Sequence, residues 1–398
     1  MLTPFERRVV FLIAGVQFVN ILDFMMVMPL GPDFGRALSI PEAHLGWIGG
    51  SYLAAAAVAG VVFTPLLDRF ERRLALFVTM VGLFVGTVAA AFSWDFSSLI
   101  AARVLAGLFG GPATAVALAC VGDAIPAERR GRAMGMVMGA FSLASVLGVP
   151  AGLELARLGG WRAPFWIVGV VGGVFAVLAR VLLPEMRGHL RAGAKPRSLL
   201  TVLRLPGAWA CALVVVGVGA STFSLVTNVA AFFQGNLGYP RETFGLLYLA
   251  GGAASFVTMR VAGIAVDRFG SFRVVAVASV SFAVVMIGCF ALEVRGVPPM
   301  VWFMLFMVTS STRNVSWNTL VTKVPPADAR AGLTSALNAV QHAAASGGAF
   351  LGSLMLTTRP DGGLDGMPGL VAVGAALSLS VVPLVAWVEA DVARRARA

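Results

Sequence analysis

Val9-Val10-Phe11-Leu12-Ile13-Ala14-Gly15-Val16-Gln17-Phe18-Val19-Asn20-Ile21-Leu22-Asp23-Phe24-Met25-Met26-Val27-Met28-Pro29-Leu30 is long and apolar enough to cross a bilayer, which takes about 20 residues as a helix. Its polar members Gln17, Asn20 and Asp23 recur at every third position, so on a helix they share one flank. A carboxylate against lipid costs several kcal/mol unless water, a partner charge or protonation relieves it. The flank is therefore expected to face a water-accessible crevice inside the protein. The other reading is a structural Asp paired permanently with a neighbouring span.

The whole chain has the same character. Hydrophobic residues make up 58% of it and charged residues 12%, with a mean hydropathy of +0.88, whereas soluble domains carry about a quarter charged residues. An all-α integral membrane protein is expected, in contact with lipid on its outer face. The net charge of +11 does not indicate a nucleic-acid partner, because the basic residues fall in short clusters between apolar runs, the pattern that orients membrane proteins. Cys120, Cys211 and Cys289 lie far apart in or beside apolar runs, so no disulfide, metal or cofactor is expected. Arg7 and Arg8 precede the first run, but that run exceeds a signal-peptide core and has no cleavage site after it, so it is expected to remain as a span.

Twelve spans can be marked, near 9–30, 44–67, 74–93, 98–121, 133–156, 163–183, 209–233, 243–266, 274–292, 300–322, 332–357 and 369–388. Lys and Arg number about 20 in the connections on the side of both termini and about 6 on the other, which puts both ends in the cytoplasm of a cell with the chain in its plasma (inner) membrane. The basic cytoplasmic connection 184–208, with Arg187, Arg191, Lys195, Arg197 and Arg204, divides residues 1–183 from 209–398, six spans on each side. The two parts repeat. Leu67-Asp68-Arg69-Phe70 returns as Val266-Asp267-Arg268-Phe269, and Ile125-Pro126 as Val324-Pro325, both 199 residues on; Gly148 and Gly152 return as Gly348 and Gly352, 200 on. Parallel duplicated halves are a transporter plan with substrate held near the midplane.

These features resemble the major facilitator superfamily, and within it the twelve-span drug:proton antiporter and sugar-efflux branch, over essentially the whole chain. The family motif Gly-x-x-x-Asp-Arg-x-Gly-Arg-Arg/Lys between spans two and three is matched by Asp68, Arg69, Arg72 and Arg73, with Thr64 and Glu71 in place of the glycines. The copy at 263–270 keeps both glycines around Asp267 and Arg268. The resemblance implies a cytoplasmic latch built from these residues. Arg103, Gly107 and Gly111 in span four resemble the family's Arg-x-x-x-Gly signature. Span five carries Gly148, Pro150 and Gly152, similar to the antiporter branch's motif except that Val149 separates glycine from proline; close helix packing also explains such small residues.

Arg103 lies about 9 Å and Asp23 about 10 Å from the outer ends of their spans at 1.5 Å per residue. A guanidinium at that depth favours the carboxylate and desolvation opposes it, so the pair is a natural proton-coupling site or, alternatively, a permanent ion pair. Gln17, Asn20, Phe24, Asn228, Arg313, Asn314, Trp317, Asn338, Gln341 and His342 are candidates for a substrate cavity, some of them serving as interhelical glue. Met25, Met26 and Met28 are either an adaptable apolar wall or ordinary lipid-facing residues.

No Gly-Lys precedes a Ser or Thr as nucleotide-driven pumps require, and no His-Glu-x-x-His or clustered histidine suggests a membrane enzyme. The resemblance therefore implies a monomeric secondary transporter in which small amphipathic molecules leave against entering protons. The alternative is a sugar or amino-acid transporter in which Asp23 and Arg103 grip the substrate.

Overall fold

Thr3 starts the first helix. Its hydroxyl accepts the Glu6 N–H at 3.2 Å and its own N–H donates to Glu6 Oε2 at 2.8 Å, a capping box that satisfies two groups otherwise orphaned at a helix start. The computed structural model describes residues 2–67, 69–187, 207–294, 296–321, 324 and 330–395. Contacts divide the chain into two compact units, Met1–Ser39 with Ser51–Pro196, and Ile40–Gly50 with Arg197–Ala398.

Among the described residues of the first unit every regular element is a helix. Helix α1 (Pro4–Met25) is followed by short α2 (Gly31–Leu38), which ends on Ser39 at φ 54°. Then come α3 (Leu45–Val62), which belongs to this unit from Ser51 on, α4 (Thr64–Leu67), α5 (Arg72–Ala91) and α6 (Phe96–Ala124). Asp95 caps α6 by accepting the Ser98 N–H at 2.7 Å, and Ser98's bonds hold this exposed carboxyl below its usual range. Helix α7 (Ala127–Leu143) runs through a π-helical turn, Ala144–Gly148, into α8 (Val149–Gly159), and α9 (Arg162–Leu182) closes the unit.

Small residues let these helices meet. A Cβ on Gly107 would lie 2.3 Å from the Tyr52 carbonyl, and one on Gly111 2.9 Å from that of Ala56. Gly148 faces Leu22, with 2.9 Å to a Cβ placed there, and Gly152 faces Met26 at 3.7 Å. Pro150 follows directly on the π-helical turn, where its missing N–H leaves an upstream carbonyl without a helical donor.

The second unit contains α10 (Ala208–Val226), α11 (Val229–Gly235), α12 (Phe244–Phe269) and α13 (Ser271–Met286), followed by a π-helical turn, Ile287–Ala291. Helices α14 (Pro299–Val321), α15 (Arg330–Met355) and α16 (Met367–Arg395) complete it. Between α15 and α16, Thr357–Thr358 and Leu364–Asp365 pair as a two-residue antiparallel hairpin, which the apolar pattern did not predict. Residues 40–50 belong to this unit, where the Gly50 carbonyl accepts the Ser346 hydroxyl at 2.9 Å.

Among the described residues, ten helices are long and apolar enough to cross a membrane, against the twelve expected. The expected spans 300–322 and 332–357 are helices of 23 and 26 residues. Arg313, Asn314 and Asn318 on one, and Asn338, Gln341 and His342 on the other, make them too polar to qualify by composition.

Candidate functional site

Asp23 lies in the last turn of α1, close to where the helix stops at Met25. The sequence pattern, continuous to Leu30, had put that end further on. A helix C-terminus already carries partial negative charge, so a carboxylate there needs an answering cation. Arg103 on α6 supplies it. Its Nη1 donates to Asp23 Oδ1 and its Nη2 to Oδ2, each at 3.1 Å, while Nη2 also reaches the Asp23 carbonyl at 3.3 Å. One guanidinium thus serves both the side chain and an otherwise orphaned helix-end carbonyl. The Thr87 hydroxyl on α5 donates to Oδ1 at 2.7 Å, and the Tyr52 ring lies 4.7 Å from the Arg103 guanidinium carbon.

The expected water-accessible crevice does not reach this pair. Both side chains are 0% exposed. Asn20, one turn earlier, is committed to helix packing, with Nδ2 donating to the Gly110 carbonyl at 2.7 Å and to Thr114 Oγ1 at 2.6 Å, and Oδ1 accepting the Tyr52 hydroxyl at 3.0 Å. Phe24 stacks on Tyr52 at 5.4 Å, and Gln17 is buried with Oε1 unpartnered. The polar flank of α1 is therefore a seam to α3, α5 and α6 in this state, because saturated bonding and burial leave its Asn and Asp no free surface for water. Tyr52 and Thr87 were missed by sequence reasoning. A tyrosine within an alanine-rich span was the available signal for the first; a lone threonine in an apolar run gave none for the second.

In the second unit the expected cavity residues separate. Arg313 is turned into the helix packing, donating to Ser378 Oγ on α16 at 2.8 Å, to the Val218 carbonyl at 3.2 Å and to Thr222 Oγ1 on α10. Its guanidinium carbon sits 4.0 Å from the Phe282 ring centre. With 0% exposure, it is no cavity wall here. Trp317 is likewise buried in an apolar cluster with Val214, Leu337 and Val381, its Nε1 donating to Asn314 Oδ1 at 3.0 Å. Asn228 is buried at the break between α10 and α11, bonded to the Ser224 carbonyl at 3.0 Å with Oδ1 unpartnered. Asn338 is exposed, and Gln341 and His342 are half-buried. Among the described residues no hydrogen bond joins these three to Asn228 or Asn314.

Of the latch residues, Asp68 lies outside the described residues. Arg69, Asp267 and Arg268 are exposed, Arg268 lying over the Phe269 ring at 5.2 Å. Arg72 pairs with Asp123 at 3.2 Å. Arg73 bonds the Leu183 carbonyl at 3.2 Å and Glu185 at 3.1 Å. Glu71, where the family motif has glycine, accepts the Met186 N–H at 3.4 Å, and the Arg72 N–H donates to the Met186 carbonyl at 3.3 Å.

Comparison with known proteins agrees with this architecture. A model described as Major Facilitator Superfamily matches residues 13–349. A chloramphenicol resistance protein of Streptomyces lividans is 27% identical over 75% of this chain and 76% of its own length. The purine ribonucleoside efflux pump NepI of Salmonella paratyphi A is 25% identical over 63% of this chain and 61% of its own, so the chain spans less than two thirds of that relative. Among solved structures, the inward-open xylose transporter XylE from E. coli superposes with a TM-score of 0.72 and 17% identity, covering 94% of this chain and 95% of that one.

Proposed function

The chain belongs to the major facilitator superfamily and is a multi-pass membrane transporter rather than an enzyme, and from that premise we propose that it exports small amphipathic molecules in exchange for protons, by alternating access. The observation that carries the proton part is the Asp23–Arg103 pair. Asp23 is buried between α1, α5 and α6, and it is fully desolvated against one cation. Protonating it while sealed would strand a bare guanidinium, at a cost of several kcal/mol. Proton uptake is therefore confined to a state that admits water to the pair, which ties protonation to conformation. Export is supported by the resistance and efflux relatives, and the distribution of basic residues supports an orientation with both termini in the cytoplasm.

A second reading is favoured by the two-pronged bonding and full burial of the same pair: a permanent clamp between α1 and α6. Reconstitution into liposomes separates the two. With chloramphenicol and a purine ribonucleoside as first trial compounds, an imposed outward substrate gradient is expected to drive inward proton flux. Asp23→Asn should abolish that flux while leaving substrate binding measurable. Coupling unchanged in Asp23→Asn assigns the pair to the clamp. A direct grip on sugar or amino-acid cargo requires binding itself to vanish in the variant.

A further inference from the structure

Where the π-helical turn runs into α8, the first unit has a groove of about 330 Å3 between α1, α8 and α9. Phe18 and Leu22 of α1 line its floor, Leu147 and Ala151 one wall, and Ile167 and Val171 of α9 the other. Gly148, Ala151 and Gly152 contribute at most a methyl each, which is what hollows this face. Leu147, Ile167 and Val171 are 55%, 44% and 36% exposed, and in a membrane-spanning chain exposed aliphatic side chains along a span meet lipid tails. The groove is therefore entered from the bilayer.

Its dimensions select the occupant. From Leu143 to Leu155 the groove follows the helix for about 18 Å at 1.5 Å per residue, close to one leaflet's share, about 15 Å, of the hydrocarbon core. Spread along that length, the volume gives a section of about 18 Å2, whereas a helix about 10 Å across needs roughly four times as much. Carbon chains in van der Waals contact, about 4 Å apart, need roughly 16 Å2 each. No lining residue has a polar side chain, so a drug-sized cargo finds none of the placed polar groups that its sites use. At the α9 end of the groove the charges come as a pair. Glu154 follows Leu147 by two helical turns, hence on the same face, and accepts the Arg157 Nε–H at 2.9 Å; the two side chains are 49% and 44% exposed. Arg162, which starts α9, is turned instead onto the Ala91 and Ser93 carbonyls at 2.9 and 2.8 Å. A phosphate beside Arg157 and an ammonium beside Glu154 answer both charges at once, while a purely anionic headgroup meets the Glu154 carboxylate as a like charge. We propose that the groove holds one acyl chain of a phospholipid whose headgroup is zwitterionic and amine-bearing, seated at Glu154 and Arg157.

The test uses purified full-length protein in detergent micelles, with dioleoyl phosphatidylethanolamine as the probe. Adding it is expected to raise the unfolding midpoint by about 2 °C or more, along a saturating curve. Ala151→Phe puts a ring into the groove; Ala151 is exposed, so the variant should fold, and its half-saturating lipid fraction should rise by about tenfold. Arg157→Gln, a change at the surface, should raise it by about fivefold through the lost charge-assisted contact to phosphate. Dioleoyl phosphatidylglycerol should need a higher fraction than the amine lipid to saturate the unaltered chain. A midpoint indifferent to the amine lipid overturns the proposal. So does a half-saturation unchanged by Ala151→Phe, which places the lipid elsewhere on the apolar belt, or one shared by the two lipids, which leaves the ion pair without a role. A midpoint that rises with protein concentration in lipid-free micelles, and ceases to do so in Ala151→Phe, seats a second copy in the groove instead.

Discussion

Asp23 accepts from Arg103 and Thr87 with no surface left to solvent, so its replacement has a definite energetic signature. Asp23→Asn leaves Arg103 buried without its counter-charge, and the expected loss is about 3–5 kcal/mol of stability. The double replacement Asp23→Asn with Arg103→Leu removes both charges and should recover much of that loss, because two absent ions need no pairing. A double-mutant cycle on denaturation midpoints checks this, and additive single effects would show the pair to be uncoupled. Tyr52→Phe tests the neighbouring seam. It removes one hydroxyl bond to Asn20 of 3.0 Å, for an expected cost of about 1 kcal/mol in the same measurement. The acid and its flank were legible in the sequence because spacing by threes fixes a helix face without knowledge of the fold. Thr87 was not legible, since its importance arises from α5 and α1 meeting at that level, a tertiary fact. Arg313 misled for a related reason: polarity and depth marked it as interior, yet only its partners Ser378 and Thr222 show that it points into packed helices.

Helix positions followed directly from apolar runs, whereas helix breaks did not. Continuous hydrophobicity hid the stop at Met25 and the π-helical turn at Ala144–Gly148, because a break inside a membrane protein is set by who satisfies the freed carbonyls. Glycines, by contrast, were legible as close approaches, and their effects should divide sharply. Gly107→Ala places a methyl 2.3 Å from the Tyr52 backbone carbonyl, so α6 must withdraw from α3, with an expected loss of about 2 kcal/mol or more. Gly122→Ala on the same helix meets nothing within 4 Å and should be neutral or stabilising by up to about 1 kcal/mol. Thermal unfolding of the two variants side by side checks the contrast. The loop before α5 makes a different prediction. Glu71 and Arg73 hold residues 183–186 through the Met186 amide, the Leu183 carbonyl and Glu185, so the departure from the family's glycine has a physical use as a clasp on the end of α9. Glu71→Gly should speed amide exchange at Met186 by roughly fivefold, equivalent to one hydrogen bond. An exchange rate that stays the same would make Glu71 a bystander.

At the scale of the molecule the duplicated motifs were readable from spacing alone, but the number of crossings is where sequence and structure pull apart. Among the described residues ten helices qualify as spans on composition, while α14 and α15 carry Arg313, Asn318, Asn338 and Gln341 along lengths of 23 and 26 residues. Such helices are unfavourable alone in lipid. They become tolerable when their polar faces are covered by other helices, as Arg313 is by α10, α13 and α16. Twelve crossings and ten crossings give opposite addresses to the facing ends of these two helices. Asn318 near the end of α14 and Thr334 near the start of α15 are both exposed, and if both helices cross, both residues lie on the cytoplasmic side. With both termini in the cytoplasm, as proposed above, Val294 and Asp361, also exposed, lie outside in either case, since the chain between α13 and α16 begins and ends there. Single cysteines at the four positions can be probed with a membrane-impermeant thiol reagent, the native Cys120, Cys211 and Cys289 being buried. Val294→Cys and Asp361→Cys should react in intact cells, and Asn318→Cys and Thr334→Cys only after permeabilisation. Reaction of the latter two in intact cells would mean that α14 and α15 do not cross, because the only route between two outside residues would then pass along the outer surface.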